Sequence, residues 1–588
     1  MKQFFKFMFA SMLGTFLSLM ILFFISMMII AGMVYSLKDE SKAKVEKNSV
    51  LEIRLDGNIK EHGSDQTFPK INPFTQDIET SLGLNQILSS IKRASSDENI
   101  KGIFLNLEQI DAGMATITEI RNALIEFKKS KKFITAYSEF YSQKAYYLAS
   151  VADKININPE GYLDFRGLRA NPMFYKGTLE KLDVEAQIIR HGKYKSFAEP
   201  FFLDKMSKEN REQIGEMIST IWDEMLGNIS ASRNISVDEL KNISGNLLIR
   251  KAEDAVKYKL ADEVAFYDEV EKDLKKSCGT EDKTKLKSIS LAKYVKGSGG
   301  QTYSKNKIAV IYAVGGISGG EGDEDNIGSE TISDAIRKAR LDTAVKAIVL
   351  RVNSPGGSAL ASDVIWREAT LAKKAKPFVV SMGDVAASGG YYISCAADTI
   401  VAQPNTITGS IGVIGIVLNT QKFFSNKLGI TFDTVKTGRF SDFGSQTRPL
   451  TAEEKRIGEN EVERIYTEFV SHVADGRHMK ASDVDSIGQG RVWSGVDAKK
   501  IGLVDVLGGL DDAIGIAARM AKVGTYRIIS LPEQKDLLQR ILENISADTK
   551  VKNVRETLGD AYPYYIQMKH ILNMRGMQAR MPMEIVIE

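Results

Sequence analysis

The sequence predicts an α/β protein: two tandem, homologous domains of βαβ units that follow a single N-terminal transmembrane helix. Three observations carry this expectation. A run of 31 residues without a charge, Phe7 to Leu37, lies near the start of the chain. Residues 100–155 align without a gap to residues 345–400. Each copy alternates short, β-branched apolar runs with longer stretches of helical spacing, as parallel sheets covered on both faces require.

The apolar run would form roughly 46 Å of helix at 1.5 Å per residue, enough to cross a bilayer with length to spare. A cleaved signal peptide would have a shorter apolar core and a small-x-small site, so a retained anchor is expected. Lys2 and Lys6 favour a cytoplasmic start, although Lys38, Lys42, Lys44 and Lys47 on the far side blunt the charge rule. No later run of comparable length occurs, which places everything beyond Lys38 on one side of the membrane.

The repeat sets the domain organisation. IKGIFLNL (100–107) meets VKAIVLRV (345–352), KKFITAYSE (131–139) meets KPFVVSMGD (376–384), and YYLASVADKI (146–155) meets YYISCAADTI (391–400). Upstream, VLEIRLDGNI (50–59) meets IAVIYAVGGI (308–317), and downstream ADEV (261–264) answers VDVL (504–507). Runs such as 308–314, 347–352 and 378–382 read as buried strands. The stretch 329–342 has helical spacing, and Thr451 with Glu454 forms a capping-box signal that opens a long helix. The expected division is an anchor over 1–48, a first repeat over 49–280, a hydrophilic linker over 281–306 with a Gly-Ser-Gly-Gly core, a second repeat over 307–530 and an extension over 531–588.

Composition narrows the function. At 588 residues the chain has room for three or four compact units of ~150 residues. Hydrophobic residues at 43% and charged residues at 26% exclude bulk disorder. A net charge of +3 is too balanced for a chain whose main partner is a nucleic acid. Two cysteines, Cys278 and Cys395, give no disulfide framework. The histidines His62, His191, His472, His478 and His570 are scattered, so neither a metal site nor a cofactor is expected.

Two glycine-rich points in the second repeat carry the candidate chemistry. NSPGGSA (353–359) ends a buried strand in a turn whose Cβ-free backbone can aim N–H groups into a cleft. GDVAASGGYYIS (383–394) places Ser388 between small alanines and Gly389-Gly390 at a strand-to-helix junction, where a helix start favours a developing oxyanion. Alone, the first would read as a turn and the second as a helix cap. A nucleophilic serine needs a base, and no histidine completes a triad; a buried lysine that has lost its charge can serve instead. The repeat chooses among the lysines. With a one-residue insertion, Gly192 meets Gly438 and Lys195 meets Ser441, while Ser388 meets Gln143 and the glycine turn meets Ile110-Asp111-Ala112. Each half would thus have kept one part of a dyad.

Taken together, the anchor, the duplication, NSPGG, AASGGYY, TGSIG (408–412) and GKYKSFAEPF (192–201) resemble the long form of the signal peptide peptidase A family, bacterial membrane-anchored proteases. The resemblance spans nearly the whole chain from Val50. It implies a Clp protease/crotonase-like spiral of βαβ units, with Ser388 as nucleophile, Lys195 as general base and Ser410 orienting the lysine. It also implies oxyanion donors at the N–H groups of Gly389 and of Gly356 or Gly357, residual signal peptides as substrates, and a homotetramer in the bacterial inner membrane. Its catalytic domains would face away from the cytoplasm. Two other classes were weighed. A crotonase-type acyl-CoA enzyme would want an acidic residue at position 388 and no anchor, and a non-catalytic membrane scaffold would not need a serine, a lysine and two glycine turns kept in matching halves.

Overall fold

A computed structural model describes residues 2–39, 45–63, 70–71, 78–79, 82–297, 303–533 and 577–581. His570, Lys42, Lys44 and the Ser-Gly-Gly of the expected linker lie outside the described residues. The apolar run forms one helix, Lys2–Asp39. Its stretch Gln3–Met28 is long and apolar enough to cross a membrane, and no part of that span is buried against the rest of the chain.

The first half builds a six-stranded sheet in which every pairing is parallel. Its order is Glu263–Val264, Lys154–Leu163, Phe133–Tyr141, Ile100–Asn106, Ser49–Ile53, Ser288–Ser290. The second half repeats the order with Val506–Leu507, Thr399–Ala402, Phe378–Ala387, Val345–Ser354, Lys307–Val314 and Arg527–Leu531. The central strands of both halves are apolar throughout, as their two-sided covering requires: Ile348, Val349, Leu350 and Val352 are all fully enclosed. Crossover helices such as Met114–Lys128 and Ala359–Ala375 supply the covering layers.

The expected linker is partly folded. Ser288–Ser290 forms the edge strand of the first sheet, parallel to Ser49–Ile53, and the helix Leu291–Lys296 packs behind it. It occupies the place that Arg527–Leu531 takes in the second sheet. The physical reason is that Ile289, Leu291, Tyr294 and Val295 are buried while the lysines and serines between them face water. An average over the stretch reads only the water-facing residues.

A third sheet joins the halves. Its order is Asn326–Gly328, Gly316–Ser318, Gly356–Ser358, Gln578–Arg580, Val413–Asn419, Glu185–His191. The last strand comes from the first half and pairs antiparallel with Val413–Asn419, from Glu185 opposite Asn419 to His191 opposite Val413. This pairing carries the chain that follows His191 into the second half.

Candidate active site

Ser388 stands at a sharp corner. The strand Phe378–Ala387 ends in two enclosed alanines, Ser388 adopts φ 56° and ψ −114°, and the helix Gly389–Ser394 begins at once. A positive φ at a serine is strained and persists only where the surroundings enforce it. They do: the Ser388 N–H donates to Gly409 O at 2.8 Å, and the Tyr392 N–H donates to Ser388 O at 2.8 Å.

Lys195 arrives from the other half. After the strand Glu185–His191, Gly192 turns the chain at φ 102°, and the Lys195 N–H donates back to Gly192 O at 3.2 Å. The Tyr194 N–H is fixed by Gln489 O at 2.9 Å. The side chain is wholly enclosed. Its Nζ lies 2.7 Å from Ser388 Oγ, 3.1 Å from Ser410 Oγ and 3.2 Å from Ser410 O. Burial drives its pKa well below the usual 10.5. Ser410 also sits at positive φ, 52°, its N–H donates to Arg491 O at 2.7 Å, and its hydroxyl donates to Gly490 O at 3.2 Å. The hydroxyl therefore has its hydrogen committed to Gly490 and a lone pair free for the amine.

Sequence reasoning missed the residues that make room for this amine. A Cβ on Gly490, at φ 78°, would stand 2.6 Å from the Lys195 Cβ, and one on Gly412 would stand 3.1 Å from the Lys195 Cδ. Gly412 was visible inside TGSIG; Gly490, in GQG (488–490), acts only through backbone proximity and left no motif.

Of the expected oxyanion glycines, Gly356 is a correction. Its N–H donates to Ser354 Oγ at 3.1 Å, because the serine side chain folds over the turn and captures it. Gly357 and Gly389 flank the same corner.

The counterparts in the other copies hold no such group. Gln143, which answers Ser388, accepts from the N–H groups of Arg166 and Gly167 at 3.0 and 2.9 Å and serves as a strut. Ser441, which answers Lys195, is exposed and bonded within its own turn to Gly438. His191 stacks on Tyr466 with ring centroids 3.7 Å apart and its Nδ1 lies 2.6 Å from Glu463, so it turns away from Ser388 chemistry. Among the described residues, Asp363, Glu468 and His472 bring ligand atoms within 4.8 Å of one another. Asp363 already accepts from the Tyr392 hydroxyl at 3.0 Å and faces His472 at 3.3 Å, while Glu468 pairs with Arg464 at 3.2 Å.

A strained serine held against a desolvated amine, beside glycine turns at the ends of parallel strands, is the arrangement of a serine hydrolase. Comparison with known proteins narrows the class. The profile of Peptidase family S49 matches residues 126–281 and 370–524, one segment in each half. Protease 4 of Salmonella typhi is 40% identical over 481 residues, covering 79% of this chain and 76% of that one. Protease 4 of Haemophilus influenzae is 37% identical over 450 residues, 74% of this chain and 72% of that one. The chloroplastic serine protease SPPA of Arabidopsis thaliana is 34% identical over 500 residues, 83% of this chain and 72% of that one. The chain belongs to peptidase family S49, in its duplicated form, and is a serine protease associated with membrane through its N-terminal helix.

Proposed function

We propose that Ser388 is the nucleophile and Lys195 the general base of an endopeptidase that degrades residual signal peptides and other unfolded apolar peptides. The observation that carries the dyad is the 2.7 Å approach of Lys195 Nζ to Ser388 Oγ in a fully enclosed setting. A neutral amine can take the serine proton as the oxygen attacks, and Ser410 holds that amine in line. The N–H groups of Gly389 and Gly357 would receive the oxyanion. A fluorophosphonate should label wild type at Ser388 and leave Ser388→Ala unlabelled and inactive, with its assembly unchanged. Turnover of Ser388→Ala within tenfold of wild type removes Ser388 from this role.

The anchor supports the substrate class, because it holds the cleft near the bilayer where cleaved signal peptides remain. The same reading sets the protein as a single-pass protein of the bacterial inner membrane with its catalytic halves outside the cytoplasm. Protease added to intact spheroplasts should digest residues beyond Lys38; protection until lysis reverses the orientation.

We also read the chain as a homotetramer. Support comes from the pairing of Glu185–His191 with Val413–Asn419. By the repeat, the counterpart of the first strand is 431–437 and that of the second is 168–174, and neither forms a strand within this chain. Ile430, Phe432 and Val435 stand exposed along the former. Pairing 431–437 of one copy with 168–174 of the next would repeat the internal contact head to tail, and such contacts close into rings.

A further inference from the structure

Residues Met577–Met581 run through the site just described. Their strand, Gln578–Arg580, lies antiparallel to Gly356–Ser358, with Arg580 opposite Gly356, Ala579 opposite Gly357 and Gln578 opposite Ser358. On its other side Gln578 stands opposite Ile414 of Val413–Asn419. The flanking backbone bonds fix the phase of the ladder. The Met581 N–H donates to Pro355 O at 2.7 Å, and the Ala359 N–H donates to Met577 O at 3.3 Å. Hydrogen-bonded pairs alternate along an antiparallel ladder, so the bonded pair between these two is Gly357 with Ala579. The Gly357 N–H therefore addresses the carbonyl oxygen of Ala579. That oxygen also lies 2.1 Å from where a Cβ on Gly356 would stand and 3.0 Å from where one on Gly389 would stand. It occupies the space between the two glycines that would receive an oxyanion, and Gly389 is the chain neighbour of Ser388.

The fit of the side chains is close as well. Ala579 is fully enclosed and Met581 nearly so. The Arg580 guanidinium lies 5.8 Å from the ring centroid of Phe197, two residues after Lys195. A segment added as a strand, with one carbonyl in the oxyanion position and a small side chain enclosed beside it, is placed as a peptide substrate would be.

We propose that this segment is an internal substrate: the chain fills its own substrate groove with residues 577–581 and cuts itself between Ala579 and Arg580. The inference rests on the assignment of Ser388 and Lys195 above. Ser388 Oγ adds to the Ala579 carbonyl carbon while its proton passes to Lys195 Nζ. The Ala579–Arg580 C–N bond breaks as that proton moves to the departing amine of Arg580. Water, deprotonated by the same lysine, then hydrolyses the Ser388 ester and leaves a carboxylate at Ala579. The cut chain lacks residues 580–588 and, with them, the Met581–Pro355 bond, so the groove opens to other peptides.

Intact-mass measurement of the full-length protein in detergent tests this. Wild type should lose residues 580–588 on incubation and Ser388→Ala should stay whole. Ala579→Trp, too large for an enclosed position, should slow the cut about tenfold or more. A chain ending at residue 576 should raise kcat/KM on an added fluorogenic peptide about tenfold, because a tethered competitor at high effective concentration is gone. An intact mass in wild-type protein that hydrolyses the added peptide overturns the proposal, as does trimming in Ser388→Ala. Absence of both peptide hydrolysis and fluorophosphonate labelling in wild type strikes the dyad itself, which separates the two failures.

Discussion

Arg351 on the central strand of the second sheet donates to Glu119 of the first half at 2.7 Å, and both side chains are enclosed. The same guanidinium donates to Glu61, also from the first half, at 2.8 Å. One cation thus faces two carboxylates across the junction of the halves. Burial, opposed by Arg351 and assisted by Glu61, pushes the Glu119 carboxyl up to about 7.

That shift predicts a pH dependence. Between the ordinary carboxyl value of 4.5 and about 7 the folded chain holds a proton on Glu119 that the unfolded chain has released. The contribution to stability is full below pH 4.5 and is lost as pH rises to about 7. Glu119→Gln has no such term. Denaturant titrations should show wild type losing about 3 kcal/mol relative to Glu119→Gln across this window, at 1.36 kcal/mol per pKa unit. A constant difference between the two proteins means that Glu119 stays ionised in the fold.

Lys195 should tolerate no cationic replacement. Its pKa lies well below 10.5 because the site is dry, whereas a guanidinium keeps its proton. Lys195→Arg and Lys195→Met should both lose about 10²–10⁴-fold in kcat/KM. The acidic limb of the wild-type pH profile should fall far below 10.5, where the amine gains its proton. An active arginine variant assigns Lys195 to substrate binding alone.

Gly490→Ala probes the packing behind the base. The new Cβ would stand 2.6 Å from that of Lys195, at a backbone φ of 78°. A displacement of about 1 Å in a reacting group costs on the order of 10²-fold, so kcat/KM should fall by about that factor. The change in Tm should stay within a few degrees, about what 1–2 kcal/mol of left-handed strain gives in a chain this long. Unaltered kcat/KM shows that the lysine tolerates the shift.

Strands, duplication and dyad were legible in the sequence because their signals are side chains at fixed spacing. Ser388 and Lys195 were found by asking which half lost what, and the fold brings them to 2.7 Å. The edge strand Ser288–Ser290 was hidden among lysines that only half of its neighbours share. The capture of the Gly356 N–H by Ser354 and the approach of Gly490 to Lys195 are backbone events. No residue type announces them. The placement of residues 577–581 depends on a pairing more than 200 residues away in sequence from Gly356–Ser358, which periodicity cannot reach.

Val435 is almost wholly exposed within the stretch that answers Glu185–His191. If that stretch pairs with a second copy, Val435→Asp buries an unpaired charge at the contact and should convert a tetramer to smaller species in light scattering. Its fold, read by circular dichroism, should be unchanged. A tetramer that survives the substitution places the contact between copies elsewhere.

The division of the dyad makes the last prediction. Neither half alone should hydrolyse peptides, since the first lacks Ser388 and the second lacks both Lys195 and the Glu61 and Glu119 partners of Arg351. The two expressed together should recover part of the activity, because Glu185–His191 can still pair with Val413–Asn419. A second half carrying Ser441→Lys should stay inactive. Ser441 is exposed in this chain, so a lysine there keeps its hydration and its charge, and an ammonium has no lone pair with which to accept the serine proton. The quantity to measure is kcat/KM of the half from about residue 305 on an apolar peptide. A rate equal to that of the full chain, without any added lysine, would place the base within the second half and remove Lys195 from the mechanism.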